Sequence, residues 1–211
     1  MFCAGMRWQL LDGGELELWA DFIEVPEQSA LYAALAGAVP WQQREIKMFG
    51  RSVVEPRQTA WIGDPGAVYT YSGRVNEPAP WPDFLQSLRV RVSERAGEAF
   101  NSVLCNLYRD GRDSMGLHSD AEPELGDNPV IASLSLGATR RFQLRHRKRR
   151  DEKLDLDLPS GSLLVMRGAT QHHYRHGIPK QPEVLTPRIN LTFRRIHLAA
   201  SSTAAAKSPG P

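Results

Sequence analysis

Cysteine is almost missing from this chain: Cys3 and Cys105 are the whole complement in 211 residues. Two thiols exclude a disulfide framework and point to a reducing compartment. Long apolar runs are missing as well. Nothing approaches the roughly 18 residues of a membrane-spanning helix, so no membrane partner is expected. The opening residues, MFCAGMRWQLLDGG, lack a basic stretch followed by an apolar run and a small-residue cleavage site. No secretory signal is read there, and the cytoplasm is the expected location. Bulk charge is close to balanced, with 26 Lys and Arg against 24 Asp and Glu.

What is present is an ordinary apolar fraction of 41%, in a chain long enough for one full-sized domain with its own core. No second domain boundary and no repeat is visible. A single domain over 1–200 is expected, as a monomer. The last residues, 201–211, have little to bury and read as a disordered tail. The balanced charge hides a local bias. Arg140, Arg141, Arg145, Arg147, Lys148, Arg149 and Arg150 follow one another with no acid among them. Such a run is either a solvated loop tip or a phosphate-contacting patch.

Residues 15–23, ELELWADFI, suggest a short strand. A helix is predicted over 27–38, with Pro26 at its start and Leu31, Leu35 and Ala38 at helical spacing. Met48 to Arg51, MFGR, reads as a turn tip that either exposes or buries Phe49. Residues 56–73 read as a hairpin about a GDPG turn, with Trp61, Tyr69 and Tyr71 available as core or as pocket walls for a flat ligand. A helix follows from Asp83 to about Ala96, on the stripe Phe84, Leu85, Leu88 and Val92. From Asn101 the pattern is short alternating strands: NSVLCNLY, VIASLSLG, RRFQLRH, two in LDLDLPSGSLLVM, and RINLTFRRI. That predicts a sandwich or barrel rather than βαβ units.

The chemistry centres on Asn106 to Asp120, NLYRDGRDSMGLHSD. His118 and Asp120 are two apart, so on an extended backbone both side chains point one way. Two histidines and one carboxylate make a mononuclear iron site with open positions. A third ligand is available among His172, His173 and His176. In RINLTFR, Arg188, Asn190, Thr192 and Arg194 share one face, and Ile189, Leu191 and Phe193 the other. Arginines set among core residues are costly unless they meet anions, and the guanidinium fork suits a carboxylate. Asn106 and Tyr108 offer an amide and a phenol from a neighbouring strand.

These motifs, in this order, resemble the AlkB-type iron(II) and 2-oxoglutarate-dependent dioxygenases, in particular their nucleic-acid dealkylation branch. The matching segments are NSVLCNLYRDGRDSMGLHSD, IASLSLGATRRFQLR, GSLLVMRGATQHHYRH and PRINLTFR. The resemblance implies a mainly β fold with flanking helices, a double-stranded β-helix or jelly-roll, with its catalytic core over about 101–196. It implies Fe(II) held by His118, Asp120 and His176. It implies 2-oxoglutarate held by Arg188, Asn106 and Tyr108, with Asn190 beside them and Arg194 near the metal end. Residues 41–73 would be a nucleotide-recognition segment with Trp61, Tyr69 and Tyr71. Phe49, beside Arg51, would fill the gap left by a flipped base. Arg145, Lys148, Arg149 and Arg150 would meet phosphates.

The activity so implied is oxidative demethylation of 1-methyladenine and 3-methylcytosine in duplex or single-stranded DNA. Oxygen and 2-oxoglutarate are consumed, and formaldehyde, succinate and carbon dioxide are released. Alternatives are the same chemistry on RNA or on a small alkylated metabolite, and a nucleic-acid binding module without catalysis. One departure bears on substrate choice: relatives often read HSDDE or HRDDE where this chain has HSDAE, with Ala121.

Overall fold

A strand that must bury both faces needs two different partners, and this chain supplies helices for one face and a second sheet for the other. The computed structural model describes the backbone of residues 5–48, 51–71 and 74–197. Side chains are described for all of these except 46–48, 51–52, 69–71 and 74–76. The predicted tail, 201–211, and Phe49 lie outside the described residues.

Among the described residues the strands are β1 (Met6–Gln9), β2 (Gly14–Trp19), β3 (Glu45–Met48), β4 (Arg51–Val54), β5 (Gln58–Gly63), β6 (Tyr69–Tyr71), β7 (Arg74–Asn76) and β8 (Ser102–Tyr108). They continue as β9 (Met115–His118), β10 (Ile131–Gly137), β11 (Arg140–His146), β12 (Lys153–Leu158), β13 (Leu163–Gly168), β14 (Tyr174–Ile178) and β15 (Arg188–Arg194). The helices are α1 (Val25–Ala38), α2 (Asp83–Ala96) and the short α3 (Thr170–His173). A seven-stranded sheet runs β1-β2-β13-β10-β15-β8-β5, and a four-stranded sheet runs β12-β11-β14-β9. Every pairing within both is antiparallel. This is the expected jelly-roll.

Period-two alternation sorts the core. Ile189, Leu191 and Phe193 of β15 join Val103, Cys105, Leu134 and Leu136 against α1 and α2. Leu31 and Leu35 of α1, and Leu85, Leu88, Val92 and Ala96 of α2, form the facing helical stripes. Pro26 sits in the first turn of α1, where a missing N–H breaks no helical bond. A second cluster joins the inward residues of the two sheets, among them Tyr108, Ile131, Phe142, Leu144, Leu164 and Met166.

Two sequence expectations change, and two strands go unread. The strand read over 15–23 ends at Trp19 and pairs on one side with β1, which was not foreseen. The expected hairpin over 56–73 does not form: β5 pairs with β8, and β6 pairs with β7. The long apolar β8 offers β5 six ladder partners, more than the short β6 could. The two strands read in LDLDLPSGSLLVM form as β12 and β13, and the chain crosses between them from the small sheet to the large one. Finally, β9 and β14 were not legible as strands, because MGLH and YRHGI lack clean alternation of apolar and polar residues.

The β9–β14 pairing depends on one glycine. Gly177 lies beside Met115, and a Cβ on it would stand 2.7 Å from the Met115 carbonyl oxygen. Gly177→Ala should therefore push β9 off β14. We expect a loss of about 1–3 kcal/mol in urea unfolding, with weaker metal binding at the histidines that these strands carry.

Candidate metal centre and cosubstrate cavity

β9 and β14 pair so that His118 stands directly across from His176. Their rings lie 4.4 Å apart between centroids. Asp120 follows His118 by two residues, just past the end of β9, and one ligand atom from each of the three lies within 4.8 Å of the others. His118 Nδ1 is 2.9 Å from the Gly116 carbonyl, which can only accept, so Nδ1 carries the proton and the Nε2 lone pair is available. His176 is buried. Burial, then the neighbouring His118, holds its pKa down at about 3, so at neutral pH it is an uncharged imidazole suited to a metal.

Asp120 is buried against Arg194. The two guanidinium nitrogens Nε and Nη2 of Arg194 grip its carboxylate at 2.9–3.3 Å. The Asp120 amide donates to Gln171 Oε1 at 3.0 Å. Burial pushes the carboxyl up, but Arg194 and the two histidines outweigh it, and its pKa is held at about 2. Asp120 is thus an anion throughout the physiological range. Arg194 sits at the metal end, where it was expected, but its hydrogen bonds go to Asp120.

Below the three ligands a cavity is walled by Tyr108, Ser133, Asn190, Thr192, Phe142 and Arg188. Arg188 is 1% exposed. Its Nη2 donates to Ser135 Oγ at 2.8 Å, while Nε and Nη1 are buried without a hydrogen-bond partner. Burial lowers its pKa to about 10, so it remains cationic at neutral pH. A buried guanidinium with two unpartnered donor nitrogens calls for an anion. Tyr108 is clasped between two arginines, with the Arg188 and Arg140 guanidinium carbons 5.3 and 5.5 Å from its ring centre. Asn106 is on the same face, but does not line the cavity. Its amide is engaged by Arg57 and by Asn190.

The basic run divides. Arg140 is buried and ties loops together, donating to the carbonyls of Asp110, Asp113 and Pro179 at 2.8–3.1 Å. Arg145 lies on the outer face of the small sheet and pairs with Asp155. Residues 147–150 form an exposed turn. Arg147, part of that run, reaches Ser119, between His118 and Asp120. Trp61 is buried, packed with Ala67, Leu125 and Ile196, and its indole N–H donates to the Ala67 carbonyl at 2.9 Å. The side chains of Arg51, Tyr69 and Tyr71 lie outside the described residues.

His173, with Asp12 and His146, forms a second close set of metal-type donors. The hydrogen bonds speak against a metal there. His146 Nδ1 accepts from the amides of Lys148 and Arg149, so Nε2 carries the proton and donates to Asp12 Oδ2 at 2.9 Å. No lone pair of His146 is left over for a metal. His172 Nε2 bonds the Asp127 carbonyl.

Two histidines and a carboxylate at the mouth of a jelly-roll, with a buried arginine further down, is the donor set of a mononuclear iron oxygenase. The model of the 2OG-Fe(II) oxygenase superfamily matches residues 15–194, and the chain belongs to that family. It is 42% identical over 189 residues to the human alpha-ketoglutarate-dependent dioxygenase alkB homolog 3, covering 85% of this chain and 65% of that protein. It is 44% identical over 158 residues to the bovine DNA oxidative demethylase ALKBH2, covering 72% and 57%. The chain thus spans a little under two thirds of these relatives' lengths. The solved structure of OsALKBH1 superposes with a TM-score of 0.62 at 20% identity, over 85% of this chain and 97% of that one, and so shares the fold.

Fe(II) and 2-oxoglutarate are the cofactors of the family. The residues fit both. His176 Nδ1 is a buried nitrogen without a hydrogen-bond partner, close to His118 and an anionic Asp120, and Arg188 keeps two buried donor nitrogens that suit a carboxylate.

In metal-free protein His176 takes its proton near its ordinary 6.5 when unfolded but only near 3 when folded. Its stabilising contribution is full above the unfolded value and is lost as pH falls toward the folded one. Urea midpoints should therefore drop between about pH 7 and about pH 4, and drop less steeply in His176→Gln.

Proposed function

We propose that this chain removes methyl groups oxidatively from alkylated DNA bases, 1-methyladenine and 3-methylcytosine, using Fe(II), O2 and 2-oxoglutarate. The observation that carries the chemistry is Arg188: a buried cation with spare donors, in the cavity that opens at His118, Asp120 and His176. His118, Asp120 and His176 would hold the iron, and the Arg194–Asp120 pair would keep the carboxylate oriented and ionised. Arg188 would take the far carboxylate of 2-oxoglutarate, with Tyr108 and Asn190 along its length and Asn106 behind. Bound iron with 2-oxoglutarate and O2 supplies the oxidising power that converts an N-methyl group to N-hydroxymethyl. That group leaves as formaldehyde, with the ring nitrogen restored, and succinate and carbon dioxide carry off the remainder of the cosubstrate.

DNA as substrate is supported by the name of the ALKBH2 relative, a DNA oxidative demethylase, and by the surface around the mouth. Arg147 to Arg150 form an exposed cationic turn, suited to phosphates, that touches Ser119 beside the ligands. Lys148, Arg149 and Arg150 belong to this patch; Arg145, paired on the outer face, contributes less. The β3–β4 hairpin exposes Val53 and Val54, an apolar surface next to the segment that carries Phe49 and Arg51. We infer that this hairpin enters duplex DNA, that Phe49 replaces the extruded base, and that Tyr69 and Tyr71 face that base. A monomeric, cytoplasmic protein acting on duplex and single strands is the simplest arrangement. No helix among the described residues is long and apolar enough to cross a membrane. The exposed Ala121, where relatives often carry an acid, favours a second reading: the same chemistry with RNA as the preferred strand.

The test is formaldehyde release from one 3-methylcytosine oligonucleotide, single-stranded and then annealed. Turnover is expected on both, with a loss of more than about 100-fold in His118→Ala, since a ligand to the iron is gone. Phe49→Ala should lower duplex turnover about tenfold while sparing the single strand. Equal losses on both strands would remove the wedge assignment. A preference for methylated RNA over matched DNA would decide for the second reading.

A further inference from the structure

Arg57 and Glu55 make a buried ion pair that the iron and cosubstrate chemistry does not account for. Their side chains are each only 4% exposed, and Arg57 Nη2 lies 2.9 Å from Glu55 Oε1. Thr59 Oγ1 also faces Glu55, at 3.5 Å from Oε2. The residues sit two apart in the extended segment between β4 and β5, so both side chains reach the same side. The pair is anchored: the Glu55 amide donates to the Arg44 carbonyl at 2.7 Å, and the Ser114 amide to the Pro56 carbonyl at 3.0 Å.

The guanidinium has a second task. Its Nε–H donates to Asn106 Oδ1 at 2.9 Å. Arginine only donates, so the Asn106 oxygen must face Arg57 and its NH2 must face the other way. That NH2 meets Asn190 Oδ1 at 3.4 Å. Asn190 Oδ1 also accepts from Thr192 Oγ1 at 3.0 Å, and Asn190 Nδ2 donates to Ser133 Oγ at 2.8 Å and to the Leu134 carbonyl at 3.0 Å. Asn190, Thr192 and Ser133 wall the cavity. One charged donor outside the cavity therefore sets the sense of Asn106, whose NH2 then matches the sense in which the Leu134 carbonyl holds Asn190. Were Asn106 to flip, two amide oxygens would face each other, and Asn190 would have to turn and lose its donors to Ser133 and Leu134.

We propose that Glu55 and Arg57 are a positioning pair for the cosubstrate cavity, holding Asn106 and Asn190 in the one donor–acceptor sense that admits 2-oxoglutarate. Glu55 compensates the buried charge, and Arg57 delivers the orientation. This rests on the assignment of the cavity to 2-oxoglutarate, and not on the identity of the methylated substrate.

The experiment is isothermal titration of 2-oxoglutarate into Mn(II)-loaded protein without nucleic acid. Arg57→Met should weaken binding about tenfold, the size expected for a hydrogen bond from a charged donor. The Mn(II) affinity should not change. In an Asn106→Ala background, adding Arg57→Met should weaken binding by less than about twofold, because the two residues act in series. A lone Arg57→Met leaves Glu55 buried and uncompensated, which can unfold the protein. The doubly apolar Glu55→Leu/Arg57→Met variant avoids this, and should melt near wild type yet show the same loss of affinity. Binding within about twofold of wild type in that folded variant, or losses that simply add to those of Asn106→Ala, would overturn the proposal. Wild-type protein that binds no 2-oxoglutarate would instead overturn the cosubstrate assignment on which it rests.

Discussion

The alternation along β15 is the constraint on which the rest depends. One seven-residue strand turns Ile189, Leu191 and Phe193 to the helices and Arg188, Asn190, Thr192 and Arg194 to the cavity. It lies between β8 and β10 in full register, so Asn106, Tyr108, Ser133 and Ser135 fall on that same inner face. A slip by one residue would exchange core for site throughout. The apolar packing against α1 and α2 thus holds the polar wall in place, and a change in either face is felt by the other.

Four arginines are buried near this face, and each is stabilised differently. Arg194 is paired with Asp120 and Arg57 with Glu55. Arg140 is satisfied by backbone carbonyls. Arg188 alone of the four has no acidic or carbonyl partner among the described residues, only Ser135 and the ring of Tyr108. Buried charge without a counter-ion is unfavourable unless a ligand supplies it. The pattern of compensation separates three arginines with protein partners for their charge from Arg188, which keeps unpartnered donors.

The turn after β11 applies similar logic to the surface. His146 is locked as a donor to Asp12 by two amides of its own turn. It therefore fixes the backbone from which Arg147 reaches Ser119, and brings the cationic turn to the edge of the metal centre. From sequence this stretch was one undivided basic run. In the fold it separates into a loop tie, an outer-face ion pair and a turn at the mouth.

The residues of β15 and the His118–Asp120 pair were legible in the sequence because both depend only on local period-two geometry. So were α1 and α2, whose apolar stripes are local as well. The choice of His176 rested on resemblance, since spacing left His172 and His173 open. Tertiary structure is what brings His176 to His118, by pairing β14 with β9, while its neighbours bond to Asp127 and stack near His146. The missed strands, the absent 56–73 hairpin and the Glu55–Arg57–Asn106 chain share one cause. Each depends on which distant segment supplies the partner, and ladder pairing between residues tens of positions apart leaves no periodic trace in either one.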